Sequence, residues 1–541
     1  MLAERNASDC HPEDRTMLDT LIVGAGLCGL SIANRLQSAG RDYLLVDARP
    51  RAGGRIETVP ATASAVALDL GPGWYWPQTQ PRMVKLLAEL KLQSHPQHDS
   101  GVILHLAGSD ASPEALAQDG VHNGAHRVAG GMGAIVAALM QRLAPDRLRA
   151  GCTLLRLVDR GDCVEAHCRS PQEDFIIAAR HVVLAMPPRL IAERIAFEPA
   201  LDAPLMQALQ DTPTWMSAQA KVAMRYDQAF WRDAGLSGNA FVSHPQAVLA
   251  EVFDACDHAG SQAAIGGFIA LSPAQRKLYS ASLALLVRSQ LAQLFGPQAD
   301  AGELHLRNWA SEPLTCSERD AAAPSQHPED GCAVLAADCW DGRLLLGGSE
   351  TATRGAGYLE GALDAAARVS NRLLARSAAA RMPHSPLNDA SLRRFSAWLF
   401  EQRRICAALY RQRAAQALTA QQSIGLTRSV LLEVIDQLYA DALAELATLS
   451  FDTRGVAVDQ GRSALTPDVL APFSGLSDEL LGEALKHNGT SCAMSNFPDE
   501  HQPSAHYVQQ IRRDLALAWR AFALSANALL LDKAVDAKVL H

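Results

Sequence analysis

The chain has 541 residues, 48% of them hydrophobic and 20% charged, with a formal net charge of −9. This is ordinary for a globular protein of two or three domains, and an acidic balance argues against nucleic-acid binding, which needs a basic surface. Eleven cysteines occur without a C-x-x-C pair; with no apolar signal segment and no apolar run of about 18 residues, the chain reads as reduced, cytoplasmic and without a membrane span.

Residues 1–16, "MLAERNASDCHPEDRT", form a polar N-terminal tail ahead of a cleaner start at Met17. Leu21-Ile22-Val23 then reads as a short buried strand, followed by the turn Gly24-Ala25-Gly26-Leu27-Cys28-Gly29. The next helix presents Leu30, Ala33 and Leu36 and stops at Gly40; a second strand, Tyr43 to Val46, ends in Asp47. The order carries a physical meaning. Gly24 permits a tight turn, Gly26 lets the backbone approach a pyrophosphate, and Gly29 lets helix and strand pack closely. The free N–H groups of the helix start face the anion, and Asp47, 18 residues beyond Gly29, is placed to accept from a ribose. NAD and FAD both fit this unit.

Just beyond lie "DARPRAGGRIET", containing Gly53-Gly54-Arg55, and "LDLGPGWYWP"; far downstream "LLLGGSETATRGAGYLEGALDAA" again sets glycines before a helix. On these segments the chain resembles the flavin-containing amine oxidase (monoamine oxidase-like) family from Asp19 to about Leu374. The resemblance implies an α/β fold: a Rossmann-type FAD-binding domain with an inserted α+β substrate domain. It also implies that the two glycine segments hold opposite ends of one FAD, which is expected to be noncovalent because Cys316 is out of register for the cysteine link of some members. "GGMGAIVAALMQRL" then leads to a second FAD-contacting strand, Cys152 to Leu157, and "HVVLAMPPRL" returns the chain to the dinucleotide domain. By the same resemblance FAD is contacted by Gly24, Ala25, Gly26, Leu27, Gly29, Asp47, Ala48, Arg49, Gly54, Arg55, Gly71, Gly73, Trp74 and Leu154. The later segment adds Gly348, Ser349, Glu350, Gly357, Tyr358 and Leu359. The family carries Glu where this chain has the shorter Asp47. The helix beginning near Tyr358 is expected to aim its free N–H groups at the flavin's pyrimidine edge, where reduced flavin is negative.

Two residues carry the expected chemistry. Lys221 lies in "SAQAKVAMRYDQAFWRDAG", which reads as an alternating strand running to Phe230-Trp231. Alone it would be a solvated edge lysine; the family pattern makes it the lysine that holds a water at flavin N5. Tyr358 matches the aromatic beside the flavin ring, and Trp74 and Trp76 are the candidate substrate-pocket residues. The chain departs from the family in "NWASEPLTCSERDAAAPSQHPEDG", where no Tyr or Phe follows Trp309 and Cys316 is out of register for a covalent flavin link.

Residues 17–376 thus form the interleaved FAD-binding and substrate domains, and 377–391, "SAAARMPHSPLNDAS", reads as a linker. From Ser391 to the end the sequence reads as a helical C-terminal domain of unassigned role. The stretch 393–413 is rich in arginine, read as a solvated helix face rather than a site for an acidic partner or anionic membrane. The helix from Ser429 to Leu449 carries an apolar stripe (Leu432, Ile435, Leu438, Leu443, Leu446) that must be covered by the flavin domain or a second subunit. Cys492, His501 and His506, with Asp499 and Glu500 between, fit no zinc spacing and read as loop and cap residues; no metal site is expected.

The expected function is oxidation of a small-molecule amine by hydride transfer to flavin N5, with dioxygen or another electron acceptor and a homodimer as candidate assembly. A desaturase or dehydrogenase of a carbon skeleton, and a flavoprotein binding module, are the alternatives, because fold alone does not fix function.

Overall fold

The computed structural model describes residues 17–539, apart from 63–64, 117–119, 123, 323–325, 382–384, 420–424, 454–457, 460, 492–493 and 495–496. The tail 1–16 and Cys492 therefore lie outside the described residues. The chain divides after Arg372 into two units.

The first unit is built on an eight-stranded sheet. Its parallel part runs Leu148–Ala150, Tyr43–Asp47, Leu18–Val23, the second half of Asp174–Leu184, then Leu344–Leu346. Leu21, Ile22, Leu45, Val46, Val182 and Val183 are wholly buried, as expected of parallel strands covered on both faces. The helix Leu27–Ser38 makes the first crossover. It ends where expected, with Gly40 at φ 64° and the Arg41 amide donating back to the Leu36 carbonyl, the left-handed glycine stop of a helix. The first half of Asp174–Leu184 instead pairs antiparallel with Val164–Arg169, which pairs with Thr153–Asp159. Because the central strands are parallel, Val23, Asp47, Leu184 and Leu346 end at one edge, where open α/β sheets bind ligands.

The inserted part is a second, seven-stranded sheet in the order Glu303–Asn308, Ala220–Tyr226, Ala263–Ile269, Leu249–Asp254, Leu236–Val242, Val102–Leu106, Glu114–Leu116. The helix Leu283–Phe295 contributes Val287, Leu291 and Leu294 to its core. The strand Ala220–Tyr226 does not alternate as expected: its first six residues are all buried. It has antiparallel neighbours on both sides, and Arg225 is satisfied internally by the Val66 and Pro60 carbonyls. It also stops at Tyr226; Phe230–Asp233 is a short helix.

Among its described residues the second unit has helices and, as its only strands, the paired dipeptides Val458–Asp459 and Arg462–Ser463. The expected linker at 377–391 is mostly helix: one helix spans Leu359–Arg381 and the next Pro386–Thr419. The apolar stripe also corrects the expectation. Ile435, Leu438 and Leu446 are buried, and Leu432 and Leu443 partly buried, in a core made within this unit with Phe395, Leu399, Leu480, Ile511, Phe522 and Leu530. Neither a second subunit nor the flavin domain is needed to cover it. His506–Lys533 is long and apolar enough to cross a membrane by length and composition, with a mean hydropathy of 1.3; its Ile511, Leu515, Phe522 and Leu530 belong to that same core.

Glu500 is one of the expected cap residues. Its buried carboxylate accepts from the amides of Leu426 and Thr427, both at 2.9 Å, at the start of the helix Leu426–Thr448. His501 is bound through Nδ1 to the Asn488 carbonyl at 2.7 Å. Among the described residues no group of His, Cys, Asp and Glu could hold a metal.

Candidate active site

A cavity of about 840 Å³ opens at the carboxyl edge of the parallel strands, within the size range of cofactor and small-molecule sites. Both glycine segments meet there: Gly24, Gly26 and Leu27 line it together with Gly348, Ser349, Glu350, Gly357, Tyr358 and Leu359. So do Asp47, Ala48, Arg49, Gly54, Arg55, Gly71, Gly73, Trp74, Trp76, Leu154 and Lys221.

Two expected contact residues do not reach the wall. Ala25 is fully buried, its amide donating to Asp47 and its carbonyl accepting from Gly53. A Cβ on Gly29 would lie 1.9 Å from the Gly24 carbonyl oxygen, so Gly29 serves only close packing of helix on strand. Gly26 is the opposite case. A Cβ there would meet no protein atom nearer than Gly54 Cα at 4.0 Å, and its φ of −72° suits any residue. Nothing among the described residues demands glycine at 26, and its absence of a side chain leaves the backbone there open to a ligand.

The polar groups around the turn fit a dinucleotide. The helix Leu27–Ser38 starts without a side-chain cap or an acid in its first turn, leaving N–H donors for an anion. Asp47 is buried, with Oδ2 accepting from the Ala25 amide at 2.7 Å and Oδ1 from the Arg49 amide at 2.8 Å; each oxygen keeps a lone pair for a hydroxyl donor. Arg49 donates to Thr315 Oγ1 at 2.7 Å and lies 3.6 Å from Glu312, while its buried Nε has no partner. Such an unpaired buried donor is costly unless a ligand meets it. Arg55 joins the two motifs, donating to Ser349 Oγ at 2.8 Å and pairing with Glu350 at 2.7 Å. Cys28 does the same from the turn, accepting from the Gly348 amide at 3.2 Å; burial pushes its thiol up to about 11. The residues present therefore fit FAD.

At the other end Lys221 is buried at 4% exposure, far from a solvated edge. Its Nζ donates to the Gly71 carbonyl at 2.9 Å and lies 5.5, 5.2 and 5.3 Å from the ring centres of Trp74, Phe253 and Phe268. Burial pushes its ammonium down to about 8, against the attraction of Asp69. Gly73 makes room for it, since a Cβ there would sit 3.1 Å from Nζ.

Tyr358 is 40% exposed within the wall. Its aromatic neighbours are Trp215, with ring centres 6.2 Å apart, and His327, at 4.8 Å. Trp215 supplies a ring contact from outside the segment after Trp309, and His327 supplies one from within that segment, where no Tyr or Phe stands; the sequence reading missed both. Trp215 follows the turn "DTPT", a position with no local signal; the close approach of Gly357 to Trp215, 2.7 Å from a notional Cβ to its Cβ, is visible only in three dimensions. Phe268 was missed too; it pairs directly with Lys221 in the antiparallel register. Trp309 lines the cavity and donates to the Leu70 carbonyl at 2.9 Å, whereas Cys316 is buried outside the wall.

The comparisons with known proteins agree with this construction. Residues 22–90 match the NAD(P)-binding Rossmann-like domain, and residues 106–374 match the family described as flavin containing amine oxidoreductase. Amine oxidase [flavin-containing] A of Sus scrofa is 26% identical over 305 residues, covering 55% of this chain and 56% of that protein. Amine oxidase [flavin-containing] of Danio rerio is 30% identical over 255 residues, covering 46% and 47%. The chain thus spans about half the length of the curated relatives it matches. Among solved structures, putrescine oxidase bound to putrescine has a TM-score of 0.54 at 20% identity, covering 67% of this chain and 100% of that one. Cyclohexylamine oxidase from Brevibacterium oxydans has a TM-score of 0.55 at 19% identity, covering 67% and 99%. Both likenesses are of fold. With two glycine motifs on one cavity and a family match over residues 106–374, the chain belongs to the flavin-containing amine oxidoreductase family.

Proposed function

We propose that this chain is an FAD-dependent oxidoreductase that removes a hydride from the α-carbon of an apolar amine, leaving an imine that water hydrolyses. FAD, when bound, supplies the acceptor for the electron pair and is regenerated by dioxygen or another acceptor. The uncapped helix start at Leu27, with Arg49 and Arg55, would hold the pyrophosphate and its neighbouring hydroxyls. The second helix start, at Leu359 on the same cavity wall, would add donors toward the flavin. Tyr358, Trp215, Trp74 and Phe268 give an apolar wall, which favours the neutral amine from which hydride is lost.

Lys221 would hold a water with the Nζ hydrogens that the Gly71 carbonyl leaves free, its charge weakened by burial. That placement, a buried lysine amid three aromatic rings on a wall shared by both glycine motifs, is the observation that carries the reading. Anaerobic mixing of the yellow protein with a panel of amines, followed by flavin absorbance, tests it. Bleaching by apolar amines is expected. A protein that keeps FAD yet is reduced by no amine would sink the activity; one that never takes up FAD would sink the cofactor as well.

A further inference from the structure

Behind the two tryptophans of the wall sits a histidine that the reaction does not use. His122 is buried and does not line the cavity. Its ring centre lies 4.8 Å from that of Trp74 at an interplanar angle of 41°, and its carbonyl accepts from Trp76 Nε1 at 3.3 Å. One histidine thus touches both residues. Each ring nitrogen faces a carboxylate: Nδ1 lies 2.6 Å from Asp99 Oδ1, and Nε2 lies 3.6 Å from Glu251 Oε1. Asp99 is itself fixed, accepting from the His122 amide at 3.1 Å and the Asn239 side chain at 3.0 Å. On its free edge Trp74 donates to Gln97 Oε1 at 2.7 Å, and Gln97 in turn donates to the Asp254 carbonyl.

We propose that His122, held between the carboxylates of Asp99 and Glu251, is a positioning residue that sets the orientation of Trp74 and Trp76 as the substrate-side wall. The inference rests on the amine-oxidising reading of the cavity. An imidazole hydrogen-bonded to one carboxylate through Nδ1, with a second carboxylate at ion-pair distance from Nε2, is favoured in its doubly protonated form, and a cation against an indole is attracted by the ring's quadrupole. Burial alone would push the imidazole down, but the Asp99 hydrogen bond and the Glu251 carboxylate outweigh it and push His122 up to about 9. Among the described residues the other charged groups at this corner are Lys221, 5.5 Å from the same indole, Arg127, whose guanidinium donates to the Asp254 carbonyl, and Asp69, whose carboxyl interacts with both. The wall is therefore fixed below about pH 9 and loosens above it.

Benzyl alcohol is a suitable probe because it occupies an apolar aryl site, cannot be oxidised as an amine and has no titrating group in this range. Its dissociation constant is read from the shift it causes in the flavin absorption of the holoenzyme. His122→Phe should keep its FAD content and weaken binding roughly fivefold to tenfold at neutral pH. The variant-to-wild-type ratio should fall toward one about a unit above the His122 transition, where wild type has lost the charge too. Glu251→Gln should bind the probe as wild type does at neutral pH but lose affinity at a lower pH, since one of two stabilising carboxylates is gone. A ratio that stays constant across this range, or no weakening in His122→Phe, overturns the proposal. An unmoved transition in Glu251→Gln overturns it as well, even if His122→Phe fails to fold. The amine panel separates this from the functional reading: flavin bleached by none of the amines defeats the amine oxidation, while the alcohol ratios still decide His122.

Discussion

The paired substitutions Gly26→Ala and Gly29→Ala separate a glycine required by a ligand from one required by the fold. In Gly29→Ala the new Cβ would stand 1.9 Å from the Gly24 carbonyl oxygen, so the helix Leu27–Ser38 must move off its strand by over an ångström. Overpacking of this kind costs about 3 kcal/mol with or without cofactor. In Gly26→Ala the new Cβ meets nothing nearer than 4.0 Å, so the FAD-free protein should gain about 0.4–1 kcal/mol from a stiffer unfolded chain. The methyl nevertheless occupies the path of the pyrophosphate over the helix start, and losing one good charge-assisted contact costs about 2.7 kcal/mol, a hundredfold in affinity. With FAD at about a thousand times the wild-type dissociation constant, the cofactor-dependent gain should fall from about 4 to about 1.4 kcal/mol. Urea unfolding with and without FAD measures both terms, following the transition that responds to FAD because the C-terminal unit has its own core. Wild-type FAD affinity in Gly26→Ala, or a loss of FAD-free stability equal to that of Gly29→Ala, would refute the assignment.

Lys221→Met should retain FAD, slow flavin reduction by amines and flatten part of the stability–pH curve. Wild type holds Lys221 near 8 when folded against 10.5 when unfolded; between these values the unfolded chain binds more protons, so stability rises with pH, by about 3 kcal/mol in full, and the variant should lack that slope in urea midpoints. Arg55→Leu leaves the fully buried Glu350 side chain without its pair and should cost about 3–5 kcal/mol; Arg55→Leu with Glu350→Leu should recover most of that, but not FAD binding, in thermal unfolding and flavin-content assays. Glu500→Ala strips the donors of Leu426 and Thr427 of their acceptor and should lower thermal stability by about 2 kcal/mol while leaving turnover per bound flavin unchanged.

What the sequence disclosed and what it hid follow from the range of the interactions. The nucleotide turn was legible because each part acts within a few residues: Gly24 adopts φ 104°, the helix start lacks a cap, and Asp47 ends the next strand and reaches back to the Ala25 amide. The return segment was legible because it repeats the same local device. Trp215, Phe268, His327 and His122 carry no such mark, since each meets its partner only through sheet register or loop packing. Lys221 lies on the boundary. Its strand looked alternating because Lys221 and Arg225 are charged, but both charges are satisfied inside, one by Gly71 and the other by the Val66 and Pro60 carbonyls. Both faces of this strand are covered over its first six residues, which leaves no solvent for a charge, so each must find a carbonyl or be lost. The helix 426–448 makes the complementary point: amphipathic spacing says that a face is covered but not by what, and here the cover comes from the long helices on either side of it in the same chain. A charge forced into a covered sheet and left with donors to spare is what distinguishes Lys221 from Arg225. Arg225 spends its guanidinium on two backbone carbonyls and Glu303, outside the cavity wall, whereas Lys221 uses one hydrogen on Gly71 and keeps the others at the wall among Trp74 and Phe268.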